Sequence, residues 1–436
     1  MTTPVSRKAF WLTALGLVAI ALIATRLGGR AAVRFGPAEA VSGATDVGMA
    51  PMFAVSPTGV EAVAWVSAPG GGTDGRLYVS VAGAAPVELR DTLGPVEAHG
   101  EAPPKLTFGP DGALNAIYVV PKVVPGKRFP LAALRFIRSP DGGKTWSPPV
   151  NVADDAVFGA HNFHALHAAS DGSLYVSWLD SRNGKSAVYI TRSTDAGRTW
   201  ERNRPVGSGE ACPCCRTALA TASDGTLYVA WRLVLPGNIR DIVVARSRDH
   251  GVSWTDPARV HADDWHVAGC PHAGPALQVD DGGRLHVAWW TGKTGQAGVF
   301  YAQSADSGRT FSAPRALGVA KFSRPAHVQL VSTRGGRVVV AWDDGTREVP
   351  EVVVRLSRDG GRSFERAQRL SPPGQWATFP ALAVSDTSVT VAWSQETPAA
   401  AAAEEHAMPD MKDPKAVMGL HAVGEAHVMV RRGRVL

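Results

Sequence analysis

Cysteine is scarce in this sequence. Four occur in 436 residues: Cys212, Cys214, Cys215 and Cys270. That excludes the disulfide-dense class of small secreted folds. Long amphipathic helical patterns are also scarce, which argues against a helical bundle. Tyrosine is confined to six positions. No basic run stands out: 45 basic and 39 acidic residues are spread along the chain, so a nucleic-acid partner is not expected. Only one long apolar run exists, Phe10 to Thr25. Arg7 and Lys8 precede it and Arg26 closes it. The run resembles an export signal and is slightly short for a membrane span. No clean small-x-small cleavage site follows. Residues 1–30 are therefore read as a signal or N-terminal membrane anchor. Either reading puts the remainder outside the cytoplasm, in the periplasm or at the cell surface.

Glycine and proline, at 46 and 31 residues, are plentiful, and they punctuate a repeat. SPDGGKTW (139–146) recurs as STDAGRTW (193–200), SRDHGVSW (247–254), SADSGRTF (304–311) and SRDGGRSF (357–364). The pattern is Ser-x-Asp-x-Gly-x-Thr/Ser-aromatic. Its Asp can accept turn N–H groups and its Gly supplies a positive φ, so each copy reads as a hairpin turn. A second motif lies upstream: strands ending at Trp178, Trp231, Trp289 and Trp342, with cousins ending at Trp65, Tyr118 and Trp393. One unit thus comprises strand, turn, strand, loop, strand, Asp-containing turn, strand. Seven units fit between residue 36 and the C-terminus. Four-stranded units repeated radially form a β-propeller. The expected fold is all-β, a single seven-bladed domain over 36–436, with six blades as the alternative. The last unit stops after its third strand. Residues 36–43 read as the missing strand, which would close the last blade.

These turns resemble the Asp-box, or BNR, repeats of the sialidase superfamily. The resemblance implies hairpin locks on the rim opposite the active site, not catalytic groups. It also implies an arginine cluster, a late Tyr nucleophile and an acidic acid/base. Here the six tyrosines (78, 118, 175, 189, 228 and 301) fall in strands, none in the last two units. The family's N-terminal Arg-Ile-Pro motif is missing. The usual sialidase mechanism is therefore not expected. An exo-glycosidase with altered residues stays open, with Asp180, Asp343, Asp344 and Glu396 in second-to-third-strand loops. Arg216, Arg324 and Arg182, with Asp180 beside the last, are candidates for binding an anionic group. Each is equally readable as an ordinary ion pair.

The cysteines precede a first strand, so they belong on the face opposite the Asp boxes. Aligned on the Leu of each innermost strand, Cys214, His272, His161 and Glu101 lie five residues before it. Cys212, Cys270 and His99 lie seven before. His164 and His327 fall slightly deeper. A Cys/His site is expected where the channel opens, built from Cys212, Cys214, Cys215, Cys270, His272 and His161. Such ligands suit copper, as Cu(I), or zinc. The competing reading is a Cys212–Cys270 disulfide staple in a metal-free binding scaffold. Residues 394–424 form a long loop rich in Met and His (His406, Met408, Met411, Met418, His421), placed over the same face. The ligand expected at the mouth is a small molecule, a glycan or a metal ion. A role in metalloprotein assembly would add a protein partner.

Overall fold

A computed structural model describes residues 33–43, 47–68, 75–98, 100–127, 130–267, 269–385, 387–396 and 426–436. The signal or anchor segment, His99 and the Met/His loop lie outside the described residues. Among the described residues no helix is long and apolar enough to cross a membrane.

Seven antiparallel sheets follow one another. Their innermost strands are Gly48–Val55, Lys105–Phe108, Asn162–Ala168, Ala218–Thr221, Ala276–Val279, Gln329–Ser332 and Trp376–Val384, defining blades 1 to 7. Each innermost strand touches the next, and the last touches the first, so the sheets close a ring. The seven-bladed reading holds and six is excluded. In blade 7 the order from the axis is Trp376–Val384, Ser388–Glu396, Ala426–Val435 and Val33–Ala40. The N-terminal strand is thus the outermost strand of the last blade. It pairs antiparallel from Val33 with Val435 to Ala40 with Met429, and Val33 is buried.

The second strands carry the large core residues. Trp65, Trp178, Trp231, Trp289, Trp342 and Trp393, with Tyr118 in blade 2, are all buried. Their environments differ. Trp178 donates its indole N–H to Asp180 Oδ2 at 2.8 Å, whereas the Trp342 indole N–H is buried without a hydrogen-bond partner. Both variants leave a cavity, and Trp178→Phe is expected to cost about 1–3 kcal/mol more than Trp342→Phe, since only the first removes a satisfied buried bond. Urea unfolding of the two variants checks this; the reverse order would refute it.

The five Asp boxes are third-to-fourth-strand turns, as the motif suggested. In the first, Asp141 Oδ1 accepts the N–H groups of Lys144 and Thr145, and Thr145 Oγ1 donates to Asp141 Oδ2. Ser139 Oγ accepts the Gly143 N–H at 2.7 Å. The Thr145 bonds lead the causes that hold Asp141 down to about 2.

Candidate metal and channel-mouth site

Blade 4 departs from the others. Its innermost strand is split: Glu210–Ala211 pairs with Leu233 and Val234, and Ala218–Thr221 pairs with residues 227–230. Between the pieces the chain leaves the sheet as CPCCRT, residues 212–217. The second strand, Leu227–Leu235, pairs its Leu227 end with Ser247, the first residue of an Asp box. Cys212 instead donates its N–H to Arg232 O, toward the other end. The thiols and the Asp box thus occupy opposite ends of the blade.

Within this excursion Cys212 Sγ lies 3.2 Å from Cys215 Sγ and 3.9 Å from Cys214 Sγ. A second group, Cys214, Cys270 and His272, has all its ligand atoms within 4.8 Å of one another. Cys214 belongs to both groups. Two arginines fix the loops that meet here. Buried Arg232 donates to Ala273 O twice and to Trp290 O. Arg240 Nη1 donates to Gly269 O at 2.8 Å and reaches Cys212 Sγ at 3.3 Å. Gly274 has no room for a side chain, because Arg216 of the preceding blade presses on it. All four cysteines are free, and Cys270 neighbours Cys214; the competing Cys212–Cys270 bridge is not formed.

Charge at the thiols is uneven. Hydrogen bonds from Cys214 and Cys215, helped by Arg232 and Arg240, pull Cys212 far below the ordinary thiol value. Cys214 and His272 lower Cys270 to about 5. Burial pushes Cys214 and Cys215 up. Arg232, Arg240 and His272 thus favour negative charge within the cluster.

From His272 a polar chain crosses the mouth. His272 Nδ1 is 3.7 Å from Glu101 Oε1, Glu101 Oε2 is 2.7 Å from His327 Nε2, and His327 Nδ1 is 2.6 Å from Asp343 Oδ2. Burial opposes the charge on Glu101, yet His327 and His272 outweigh it and hold Glu101 well below the usual carboxylate range. Burial likewise pulls His327 down, but Asp343 and Glu101 more than offset it and raise His327 to about 9. Two rings cover the imidazoles: Phe163 packs 6.1 Å from His272 and Phe379 packs 4.3 Å from His327. Both phenylalanines have positive φ at register shifts in their innermost strands. The bulges aim them inward. Nearby, Lys105 is buried with its ammonium unpartnered and is driven well down by burial and Arg216.

Two sequence expectations need correction. His161 does not join the cysteines. The extra residue between Asn162 and Ala165 turns the chain, and His161 instead bonds Ala132 O of blade 2 at 3.0 Å and Asp155 Oδ1 at 2.9 Å, with Asp180 Oδ2 at 3.7 Å. The three proposed anion-binding arginines also do not converge, although Asp180 does pair with Arg182. Arg182 is tied to Asp154, Asp155 and Asp180. Arg324 stacks over Trp376 at 5.4 Å. Arg216 is buried, donates to Val328 O at 3.2 Å and senses Glu101 and Asp343. The strand alignment reaches Glu101 and His327, and Asp343 stands among the candidate loop acids, but nothing in the sequence joins the three. Lys105, next to Leu106, gave no signal beyond being a lysine in a core strand.

No tyrosine joins this chain. Tyr175 and Tyr228 lead to Asp-box residues His250 and Ser307, and Tyr301 packs on Phe364 of the box in the next blade. Tyr189 has Arg182 4.5 Å over its ring, but it sits on a third strand and burial raises its hydroxyl.

Comparison with known proteins gives the lineage. A sialidase of Micromonospora viridifaciens is 27% identical over 271 residues, 54% of this chain and 41% of that protein, so the chain spans less than half of the relative's length. A protein of unknown function from Dyadobacter fermentans shares the fold with a TM-score of 0.52 at 15% identity, covering 93% of this chain and 100% of the other. An ulvan lyase, a polysaccharide lyase bound to -[GlcA(1-4)Rha3S]-, does so with a TM-score of 0.52 at 13% identity over 81% and 93%. The model of the BNR repeat-like domain matches residues 97–263 and 225–392. With that match spanning blades 2 to 7 and five Asp boxes locking the ring, the chain belongs to the BNR repeat-like domain family, among the propellers of the sialidase superfamily.

Proposed function

We propose that this propeller is an exported binding module that holds a soft metal ion, Cu(I) first and Zn(II) second, at its channel mouth. One observation carries the reading: two ligand groups, Cys212–Cys214–Cys215 and Cys214–Cys270–His272, share one thiol. Metal–sulfur bonds of about 2.3 Å in a tetrahedral site set sulfurs about 3.8 Å apart, and the 3.2 and 3.9 Å separations lie close to that. Thiolate and imidazole together favour soft and borderline ions over hard ones. Arg240 and Arg232 would offset the negative charge of bound thiolates. The Met/His loop would supply further soft ligands to a metal-handling or assembly role. Anaerobic titration against a competing chelator should find stoichiometric Cu(I) or Zn(II). Cys214→Ser removes the ligand common to both groups and should weaken binding at least about 100-fold. Wild-type protein that binds neither ion defeats the proposal.

The second reading is carbohydrate hydrolysis, favoured by the Asp343–His327–Glu101 constellation and the sialidase relative. These groups are hydrogen-bonded to one another, and no tyrosine stands among them. Turnover of a fluorogenic sialoside should therefore be undetectable. Turnover abolished by Glu101→Gln would establish the hydrolase instead.

A further inference from the structure

The four sulfurs form a graded series. Cys270 is partly exposed, Cys214 is 5% exposed, and Cys212 and Cys215 are 0% and 1% exposed. Neighbours along the series are close: Cys270 to Cys214 within 4.8 Å, Cys214 to Cys212 at 3.9 Å, and Cys212 to Cys215 at 3.2 Å. Cys212 and Cys215 also bracket a C-x-x-C turn, in which the Cys215 N–H points to Cys212 O at 3.4 Å. That spacing is the one used by dithiol–disulfide pairs. A bond of about 2.05 Å requires these two sulfurs, 3.2 Å apart, to close by about 1 Å.

We propose that this propeller performs thiol–disulfide exchange, passing oxidation from Cys270 inward to a buried Cys212–Cys215 disulfide. The oxidant is a small-molecule disulfide. Cys270 sulfur attacks it, forming a mixed disulfide and releasing one reagent thiol. Cys214 displaces the second reagent thiol and bonds to Cys270. Cys212 then attacks the Cys214 sulfur, freeing Cys270 as a thiol. Cys215 attacks the Cys212 sulfur, freeing Cys214. At each displacement a thiolate attacks and the leaving sulfur departs as a thiolate, which takes up whatever proton the attacker has given up. In sum, one external disulfide becomes two thiols while Cys212 and Cys215 lose two protons and two electrons. The direction follows from burial: the final pair is shielded from external thiols, while the receiving sulfur is the most accessible of the four. Arg240, bonded to both Gly269 O and Cys212 Sγ, holds the two thiol-bearing loops in register for the transfer.

The test treats reduced, chelator-stripped full-length protein with glutathione disulfide and maps the products by mass spectrometry. A Cys212–Cys215 link with Cys214 and Cys270 free is expected. In Cys270→Ser, formation of that link should slow at least about tenfold, because buried thiols meet the reagent poorly. A product that ends as glutathione on Cys270 or as a Cys214–Cys270 link overturns the proposal, as does a Cys270→Ser variant oxidised at the wild-type rate. The wild-type map decides alone if that variant fails to fold. The outcome is independent of the metal reading: protein that binds Cu(I) yet stays reduced defeats only the exchange, and protein that exchanges yet binds no metal defeats only the metal site.

Discussion

Gly197→Ala is expected to lower the unfolding free energy by about 2–5 kcal/mol, more than its position in a hairpin turn suggests. Gly197 is the glycine of the second Asp box, with φ 79°. Left-handed backbone costs an alanine about 1–2 kcal/mol, and that alone is tolerated here: Ala196, one residue earlier, has φ 62° in the native chain. The larger obstacle is contact. A Cβ at Gly197 would run into the Phe136 ring, which belongs to the third strand of the preceding blade. Phe136 cannot swing away, because it is buried and Trp200 of the same Asp box stands edge-on to it at 5.2 Å. Gly361 and Phe364 close on Tyr301 of blade 5 in the same way. The Asp box is thus a clasp between blades as well as a turn lock. Gly172→Ala is the control: φ is 84°, yet nothing lies within 4 Å of the new Cβ, so only the backbone cost of about 1–2 kcal/mol applies. Urea unfolding of the two variants separates the terms. Equal losses would show that the inter-blade contact contributes nothing.

The hairpins were legible because their chemistry is local. Ser139, Asp141, Gly143 and Thr145 lie within seven residues, and each bond among them is implied by the motif. Strand order then placed the cysteines on the opposite face, and alignment on the inner-strand Leu brought Cys214 to Cys270 and His272. The alignment failed where the backbone bulged. His161 has the same offset as Cys214, but the shift at Phe163 turns it toward blade 2. Bulges leave no composition signal that separates Asn-Phe-His from an ordinary strand start. The thiol pairing was hidden for a similar reason. Only the split strand of blade 4 reveals that Cys212 folds back on Cys215. The Glu101–His327 bond joins residues 226 apart, and nothing local to either residue names the other.

The same long-range bond gives the second large effect. His327 is buried between Asp343 and Glu101, and its folded-state value is raised to about 9. A group raised on folding stabilises the native state most below its unfolded value, about 6.5 for histidine, and loses that contribution as pH climbs through the folded value. The shift corresponds to about 3 kcal/mol at full expression. Wild-type stability should therefore fall between about pH 6.5 and pH 9. Other groups titrate in that range, so the informative quantity is a difference. His327→Gln keeps a hydrogen-bonding side chain but removes the proton. Its deficit relative to wild type should be largest near pH 6 and should shrink by about 2–3 kcal/mol by pH 10. Urea midpoints at pH 6, 8 and 10 measure the gap. The opposite limb is set by Glu101, which is held below the usual carboxylate range; its contribution is full above about pH 4.5 and fades as acid protonates it. Stability from this network should hence be greatest between about pH 4.5 and 6.5. A gap between wild type and His327→Gln that stays constant from pH 6 to 10 would mean that His327 is not held as an imidazolium between the two carboxylates.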